Sequence, residues 1–508
     1  MADTIVIYHD EFALSIGIGE DGPAPDDLLA RLLPKMTYTH VDKCSRHEMR
    51  DPISGEIRKY KFEQHNLYRM EHPVPRLSCQ PGYLDRVISV AEELGYVVDV
   101  RDLKFTAYAD SRPDAFVEDW DRYVEIFKPR VGQDDVITQI ADHTYGIVEA
   151  APGYGKSYLM AALSLVYPNA EILVVVPSEA VLQTVYTHAS TYLPANQIGL
   201  IGGGNRKQER FTICIINSLL RQAWAQRPDI IAADEAHLYT STKFAEAIAV
   251  AARRSKVFGF SGSMVKKFNG DHARAEGLFG RTIFKFTNQD AVANGLVVPI
   301  QVIWHPTPFT RNPAARFSSM FGRKRNGIWY HTARNQLIAD VARQYAADVP
   351  VLVLVETVTH ALELAKLLPD YHICVRTISE ALEENVLATA DFDRSRLAIT
   401  DAERRKLIDD FMHGRVTKLL ATDILGTGFS ANALSVLIRA DARKSEVKSI
   451  QLPGRVARTH SGKLVGTVHD FADTWDSGFM AAAHQRRRDY EKRGFVQIKT
   501  QPTALLSV

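Results

Sequence analysis

Tyr145-Gly-Ile-Val-Glu149-Ala150-Ala-Pro-Gly153-Tyr-Gly155-Lys156-Ser157, followed by Tyr158–Leu165, is a short apolar run, a glycine-containing turn and a run of helix formers. The apolar run predicts a buried strand and Tyr158–Leu165 a helix. A turn of this kind leaves backbone N–H groups free to point inward at a helix N-terminus, where the dipole favours an anion. Lys156 is then placed to reach the β- and γ-phosphates of a nucleotide, and Ser157 to ligate Mg²⁺. Gly153 and Gly155 supply the loop, whereas Ala150 stands where such loops usually begin with glycine. Taken alone, the stretch could also be an ordinary strand–helix turn with a chance Lys-Ser, so its surroundings matter.

Those surroundings repeat the same rhythm. Glu171–Val176, Phe211–Ile216, Asp229–Ala233 and Lys256–Phe260 read as further buried strands separated by helical segments, which is the signature of a doubly wound parallel sheet. After a polar, basic stretch (Thr310–Asn326) the rhythm restarts with Pro350–Val355, Tyr371–Val375, Thr417–Ala421, Ser435–Ile438 and Gly466–His469. Residues 1 to about 110 differ. They show short strand patterns, an amphipathic helix (Leu84–Leu94), a strand (Tyr96–Val100), and a hairpin turn expected at Pro52–Gly55. The expected architecture is α/β: two doubly wound parallel-sheet lobes with a small α+β N-terminal domain. Its expected divisions are an N-terminal nucleic-acid-binding domain at 1–112, lobe one at 113–305, a basic linker at 306–330 and lobe two at 331–508.

Two further patterns give the phosphate-loop reading its context. Asp229–Ala233 runs into Asp234-Glu235-Ala236-His237, which places two carboxylates at the edge of the sheet where ligands of such folds bind. Asp234 suits a Mg²⁺ ligand and Glu235 a base for an attacking water. In the second block, Gln451-Leu-Pro-Gly454-Arg455-Val-Ala-Arg458 begins a helix. Spacing of three would put Arg455 and Arg458 on one helical face. Guanidinium groups on one lobe, aimed at phosphates held by the other, make hydrolysis depend on lobe closure.

Composition excludes little. In 508 residues, Lys+Arg (61) balance Asp+Glu (60), so a polyanion must be gripped through local patches rather than bulk charge. Lys43, Arg46, Arg50, Arg58, Lys59 and Lys61 around the expected hairpin form one such cluster, which can equally be a solvated strand face. Four cysteines in a chain this long argue for a reducing compartment rather than a disulfide framework. Cys44, His47, His72 and Cys79 fit no common zinc-finger spacing. No basic-then-apolar leader opens the sequence, and apolar runs such as Ile172–Pro177 are too short for a bilayer. A cytoplasmic monomer, without membrane contact, is the expectation.

In order, the chain carries Arg130-x-x-Gln133, the phosphate loop, Val176-Pro177-Ser178, Gly202-Gly203-Gly204, Asn217-Ser218, Asp234–His237 and Ser261-Gly262-Ser263. Thr422-Asp423 with Gly426 and Gly428, and Gln451–Arg458, follow. Over residues 130–460 this resembles the motif series of the superfamily 2 helicases, and within them the phage recombination helicases. The resemblance implies that the two doubly wound parallel-sheet lobes are RecA-like, with ATP and Mg²⁺ as cofactors and a nucleic-acid partner. It implies that Arg130 and Gln133 read the adenine and that Asp423, beside Gly426, approaches the ribose. Gln451, Arg455 and Arg458 would serve hydrolysis, and His237, Ser261 and Ser263 would couple it to nucleic acid. Pro177, Ser178, Gly203, Gly204, Asn217, Ser218 and Thr422 would hold the phosphates of one strand; Arg58 and Lys59, from the basic cluster around the expected hairpin, are candidate contacts on charge alone. Small residues at strand ends do leave backbone N–H groups open to phosphate oxygens, although glycine and serine populate any loop.

Two departures narrow the reading. Ser261-Gly262-Ser263 replaces Ser-Ala-Thr, and Gln451 stands where DEAD-box RNA helicases usually carry histidine. Only Leu434–Ile450 separates the last two motifs, so a strand-splitting wedge is expected in residues 1–110 or Thr310–Asn326. The leading expectation is an ATP-dependent motor on duplex, forked or branched DNA, which unwinds, migrates branches or anneals, with a single strand tracked across both lobes. Its alternatives are an RNA helicase, an ATP-switched clamp without directional movement, and the motor subunit of a restriction complex.

Overall fold

The computed structural model describes residues 3–9, 13–50, 57–102, 112, 114–222, 224, 227–252, 255–262, 271–307, 312–375, 394–398, 400–422, 434–443, 453–460 and 462–499, with only the backbone of 39–50, 57–63, 102, 394 and 401. The chain divides after Phe286 into two compact units. The first holds the N-terminal domain and one parallel sheet, the second another parallel sheet.

In the N-terminal domain, β1 (Thr4–His9), β2 (Leu14–Ile18), β5 (Tyr68–Met70), β6 (Leu77–Cys79) and β7 (Val97–Asp102) form a mixed sheet in the order β5-β6-β2-β1-β7. Alternating apolar residues on its strands and the apolar stripe of the helix Leu84–Glu93 (Val87, Ala91) close one core with Leu28 and Leu32. β3 (Thr37–Arg50) and β4 (Ile57–Asn66) pair antiparallel as a separate two-stranded ribbon. The Pro52–Gly55 turn expected between them lies outside the described residues. Within this first unit, the Tyr83 hydroxyl donates to the Ala273 carbonyl at 2.7 Å, and Arg86 pairs with Glu276, so the N-terminal helix is fastened to the helix Asp271–Phe279.

The larger sheet of this unit contains β8 (Tyr145–Ala150), β9 (Ile172–Val176), β10 (Ile198–Gly202), β11 (Asn205–Lys207), β12 (Phe211–Ile215), β13 (Ile230–Asp234), β14 (Lys256–Ser261) and β15 (Thr282–Phe286). Their order is β11-β10-β12-β9-β13-β14-β8-β15, parallel except for the edge strand β11. β9 is buried at every residue, as a central strand covered on both faces must be.

The second unit repeats this plan with β16 (Ile300–Pro306), β17 (Val351–Leu354), β18 (His372–Cys374), β19 (Leu397–Ala398), β20 (Lys418–Ala421), β21 (Val436–Arg439), β22 (Gly466–Ala472) and β23 (Val496–Lys499). The order is β19-β18-β20-β17-β21-β22-β16-β23, all parallel. Setting aside the edge strands β11 and β19, both sheets share one order when their strands are counted along the chain: 3-4-2-5-6-1-7. Both lobes are therefore RecA-like, and β16 is in lobe two what the phosphate-loop strand β8 is in lobe one.

That equivalence corrects two expectations. Lobe two does not begin at 331: Ile300–Pro306, expected within lobe one, hydrogen-bonds β22 and β23 in the second sheet. In Ile-Gln-Val-Ile-Trp-His-Pro the apolar run is cut to three residues by Gln301 and His305, shorter than the runs that betray the central strands. The basic linker expected at 306–330 is also structured in its second half, as a helix Met320–Lys324 and a π-helical turn Arg325–Trp329. Ile328 and Trp329 are buried against Phe479 and Ala442, so this stretch is part of the lobe.

Among the described residues of lobe two, three fully buried arginines each meet a carboxylate. Arg334 Nε and an Nη lie 2.9 and 3.0 Å from the two oxygens of Asp473, Arg439 pairs with Asp441 at 3.0 Å, and Arg486 pairs with Asp470 at 2.8 Å. Tyr490 links the last two pairs by donating to Asp470 and accepting from Arg439. Arg486 and Tyr490 lie on the helix Ser477–Lys492, so this arginine-rich helix contributes core residues.

Candidate active site

Strand order builds the site. β13, β14 and β8 are neighbours in lobe one, so their carboxyl ends carry Asp234, Ser261 and the phosphate loop side by side. β10, β12 and β9 are neighbours on the other half of the same edge, and they deliver Gly202–Gly204, Asn217-Ser218 and Pro177-Ser178. The sequence-predicted residues of lobe one thus fall into two adjoining groups, separated by the β9–β13 pairing.

The phosphate loop leaves β8 and enters the helix Lys156–Val166, whose residues from Leu159 onward are buried. Gly153 and Gly155 have φ of 86° and 96°, a left-handed backbone that side chains resist. A Cβ at Gly155 would also meet the Gln133 amide nitrogen at 2.8 Å. Lys156 Nζ donates to the Ala150 carbonyl at 3.0 Å, folded back over the loop. Gln133 is buried at the start of the helix Gln133–Asp142; its amide oxygen accepts from the Arg130 N–H at 2.9 Å and its amide nitrogen donates to the Tyr154 carbonyl at 2.8 Å. The two expected adenine contacts are therefore tied to the phosphate loop, with the Arg130 side chain exposed.

Asp234 ends β13 and is buried, and burial, then the neighbouring Glu235 carboxylate, pushes its carboxyl up to about 7 against the opposing pull of Lys156. A buried carboxylate of that kind at the carboxyl edge of β13, on the same sheet edge as the phosphate loop that carries the Ser157 hydroxyl, offers oxygen donors that suit a hard divalent cation, which would relieve the cost of its charge. Glu235 sits at φ 56° and ψ 54°, left-handed without being glycine. Such a conformation costs about 1–3 kcal/mol and collects at functional sites. It turns Glu235 away from the strand and towards His237, whose Nδ1 lies 3.4 Å from a Glu235 oxygen and 3.2 Å from the Ser261 hydroxyl. Ser263 lies outside the described residues.

Among the strand-holding candidates of lobe one, Gly202, Gly203 and Gly204 all have positive φ and form the turn from β10 into β11. Their glycine character is thus a turn requirement in the first place. Asn217 stands exposed on the one-turn helix Ile216–Leu219, and Ser178 precedes the helix Glu179–Ala189.

In lobe two, Thr422 follows β20 with its hydroxyl buried and without a hydrogen-bond partner among the described residues. Asp423, Gly426 and Gln451 lie outside them, as do the side chains of Arg58 and Lys59. Arg455 is buried in the single turn Pro453–Val456. Arg458 corrects an expectation: the helix ends at Val456, and Arg458 forms an antiparallel bridge with Val297. The two arginines therefore do not share a helical face, because Val298 N–H takes the Ala457 carbonyl and draws the chain into extended form. Burial lowers the Arg458 guanidinium from its ordinary value.

Sequence reading missed the aromatic support of the phosphate loop. Tyr154 is fully buried, its ring 4.5 Å from that of Phe286, and the Ala151 N–H donates to the Phe286 carbonyl at 3.0 Å. The alternation Phe284-Lys285-Phe286 was its one trace. Also missed was Thr240, which donates to Asp271 at 3.1 Å and whose carbonyl accepts from Arg274.

The first lobe matches the family model described as "Type III restriction enzyme, res subunit" at residues 126–266, and the second matches "Helicase conserved C-terminal domain" at 336–460. Over 470 residues the chain is 22% identical to "ATP-dependent DNA helicase uvsW" of Enterobacteria phage T4, covering 86% of this chain and 89% of that protein. The chain belongs to the superfamily 2 helicases. A second relative of this helicase, "Probable helicase D10" of Escherichia phage T5, is 24% identical over 70% of this chain and 74% of its own. In fold, the helicase is similar to a fragment of a putative HsdR subunit of a type I restriction enzyme from Vibrio vulnificus YJ016 (TM-score 0.52, 15% identity, 93% and 96% of the two chains). It is also similar to S. cerevisiae Dbp5 bound to RNA and ADP BeF3 (TM-score 0.50, 14% identity, 74% and 91%). The protein is thus an ATP-hydrolysing enzyme whose partner is a nucleic acid. Among the described residues no helix is long and apolar enough to cross a membrane.

Proposed function

We propose that this helicase is an ATP-driven motor on duplex, forked or branched DNA, in which lobe one holds the nucleotide and one strand on adjoining halves of a single sheet edge. The observation that carries the proposal is that adjacency: nucleotide motifs on β13, β14 and β8 beside strand motifs on β10, β12 and β9.

Lys156 swings from the Ala150 carbonyl to the β- and γ-phosphates, and the free N–H groups of the loop bind the remaining oxygens. Ser157 and Asp234 hold Mg²⁺, which supplies charge neutralisation of those phosphates. Glu235 accepts the proton of the water that attacks the γ-phosphorus as the bond to the bridging oxygen breaks, leaving ADP and phosphate. Arg455 and Arg458 complete the charge stabilisation with Gln451, Arg130 and Gln133 bind adenine, and Asp423 with Gly426 faces the ribose. His237 is hydrogen-bonded to Ser261 and lies 3.4 Å from a Glu235 oxygen, a route by which hydrolysis is felt at the next strand end along with Ser263. Pro177, Ser178, Gly203, Gly204, Asn217, Ser218 and Thr422 hold phosphates by backbone and hydroxyl groups, which position without reading sequence. DNA is favoured over RNA by the phage DNA helicase that matches most of the chain, and by Ser-Gly-Ser in place of Ser-Ala-Thr.

The test is an ATPase titration with single-stranded, duplex, forked and four-way DNA beside RNA, with Lys156→Ala as background, followed by strand displacement on the best stimulator. DNA-stimulated turnover with displacement is expected. Stronger stimulation by RNA would overturn the DNA reading, and stimulation without displacement would leave a clamp.

A further inference from the structure

The segment Met320–Tyr330 presents exposed aromatic surface on a rigid base. Phe321 is 66% exposed and Tyr330 41%, beside Met320 at 49%. The Phe321 ring meets the buried Trp329 ring edge to face at 5.4 Å and leaves its own face open, and further contacts fasten the segment. Arg323 Nε donates to Asp476 at 3.0 Å in a two-point pair, and Lys324 Nζ meets Glu356 at 2.6 Å. Trp329 Nε1 donates to the other Glu356 oxygen at 3.3 Å, and its ring is buried with Ile328 and Phe479. The Arg325–Trp329 stretch is wound as a π-turn, a form that recurs at functional positions.

Two guanidinium groups flank this surface. Arg325 lies over the Tyr330 ring at 5.4 Å, and Arg316 over Phe317 at 5.4 Å, with Phe317 packed at Gly322. Neither has a carboxylate partner among the described residues, whereas Arg323 and Lys324 of the same segment are paired. Unpaired cations stacked on aromatics beside an exposed phenyl ring match a ligand with both phosphates and flat rings.

Location supplies the rest. Glu356 follows β17 and Asp476 follows β22, so the anchors sit at the carboxyl edge of the sheet, where ligands of such folds bind. β17 neighbours β20, and the Val355 N–H donates to the Ala421 carbonyl at 2.9 Å. The pedestal residue Glu356 is therefore next along the chain from Val355, as Thr422 is from Ala421.

From this geometry we infer that Phe321 is a base-stacking platform for the single strand on lobe two, with Arg325 and Arg316 drawing in its backbone. The inference rests on the proposed reading that Thr422 holds a phosphate of that strand. Stacking is available to any base in a single strand and to none inside an intact duplex, so the platform is sequence-tolerant and strand-selective.

The test uses the full chain and a fluorescent oligothymidylate. Phe321→Ala should weaken single-strand binding roughly 5- to 100-fold, as loss of one stacked base does. Blunt-duplex binding, basal ATPase without nucleic acid and thermal stability should stay at wild-type values. Phe321→Trp should restore binding. Moving one abasic site along the oligonucleotide should find a position that weakens the wild type but not Phe321→Ala, which a merely structural role cannot produce. Arg325→Ala should reduce the slope of log affinity against log salt by about 1, while Phe321→Ala leaves it unchanged. Wild-type single-strand affinity in Phe321→Ala, or equal losses on abasic and intact strands at every position, would overturn the platform alone. A wild-type chain that binds no single strand overturns the strand reading and the platform with it.

Discussion

Acidification should destabilise lobe two through a buried pair of imidazoles. His305 on β16 and His469 on β22 share a 2.7 Å hydrogen bond, His469 is bonded through its other nitrogen to Tyr345, and the His305 ring stacks on Phe471 at 5.3 Å. Burial pushes His305 down to about 4. Burial, then the neighbouring His305, pushes His469 down to about 3. A histidine in the unfolded chain takes its proton near pH 6.5. Below that value the unfolded chain binds protons that the folded lobe refuses, so stability is complete above about pH 6.5 and falls as pH drops towards 4. At about 1.4 kcal/mol per pH unit, each ring costs about 2 kcal/mol at pH 5 relative to pH 8. The assay is urea unfolding at pH 8, 6.5 and 5, followed by tryptophan fluorescence with Trp120 and Trp224 of the first unit replaced by Phe, which leaves Trp304, Trp329 and Trp475 of this unit as reporters. His469→Gln keeps a donor and an acceptor for both partners and removes one titration, so its acid loss should be smaller by about 2 kcal/mol. Equal losses in variant and wild type would refute the reasoning.

Glu235→Gln should bind ATP yet slow its hydrolysis roughly 10²- to 10⁴-fold, because the amide keeps the shape and loses the base; unchanged steady-state turnover would remove Glu235 from that role. Arg455→Ala should lower turnover by orders of magnitude with little change in nucleotide affinity, measured by nucleotide titration beside kcat. Arg334→Ala strands the buried Asp473 carboxylate and should cost lobe two about 3–5 kcal/mol in urea unfolding, while Arg334→Met with Asp473→Leu should recover most of it. Replacing Arg58, Lys59 and Lys61 on β4 by Ala should weaken fork binding and flatten its salt dependence, with basal ATPase unchanged; an identical salt slope would assign the ribbon another task.

The contrast between Lys156 and Arg458 shows where legibility ends. Lys156 could be read directly, because a strand, a glycine turn and a helix start are local events whose propensities lie within a dozen residues. The same holds for Asp234 at the end of an apolar run, and for two successive βα rhythms as two lobes. Arg458 looked like the helical partner of Arg455 at a spacing of three, but its conformation is set by Val297, a residue 161 positions earlier in the chain. β16 was missed for the same reason, since its place beside β22 depends on hydrogen bonds that no local pattern announces.

What composition, spacing and motif order carried was the inventory: two parallel-sheet lobes, a phosphate loop, the carboxylates and the arginines. Tertiary structure alone decided how these meet. It sorted the motifs of lobe one onto two halves of one edge, held Glu235 in a left-handed backbone, and put an imidazole pair and three arginines in the second core. The physical reason is that sheet neighbours are chosen by backbone hydrogen bonding and by burial across long stretches of chain. Local sequence sets which face of a strand is apolar, and not which strand lies beside it.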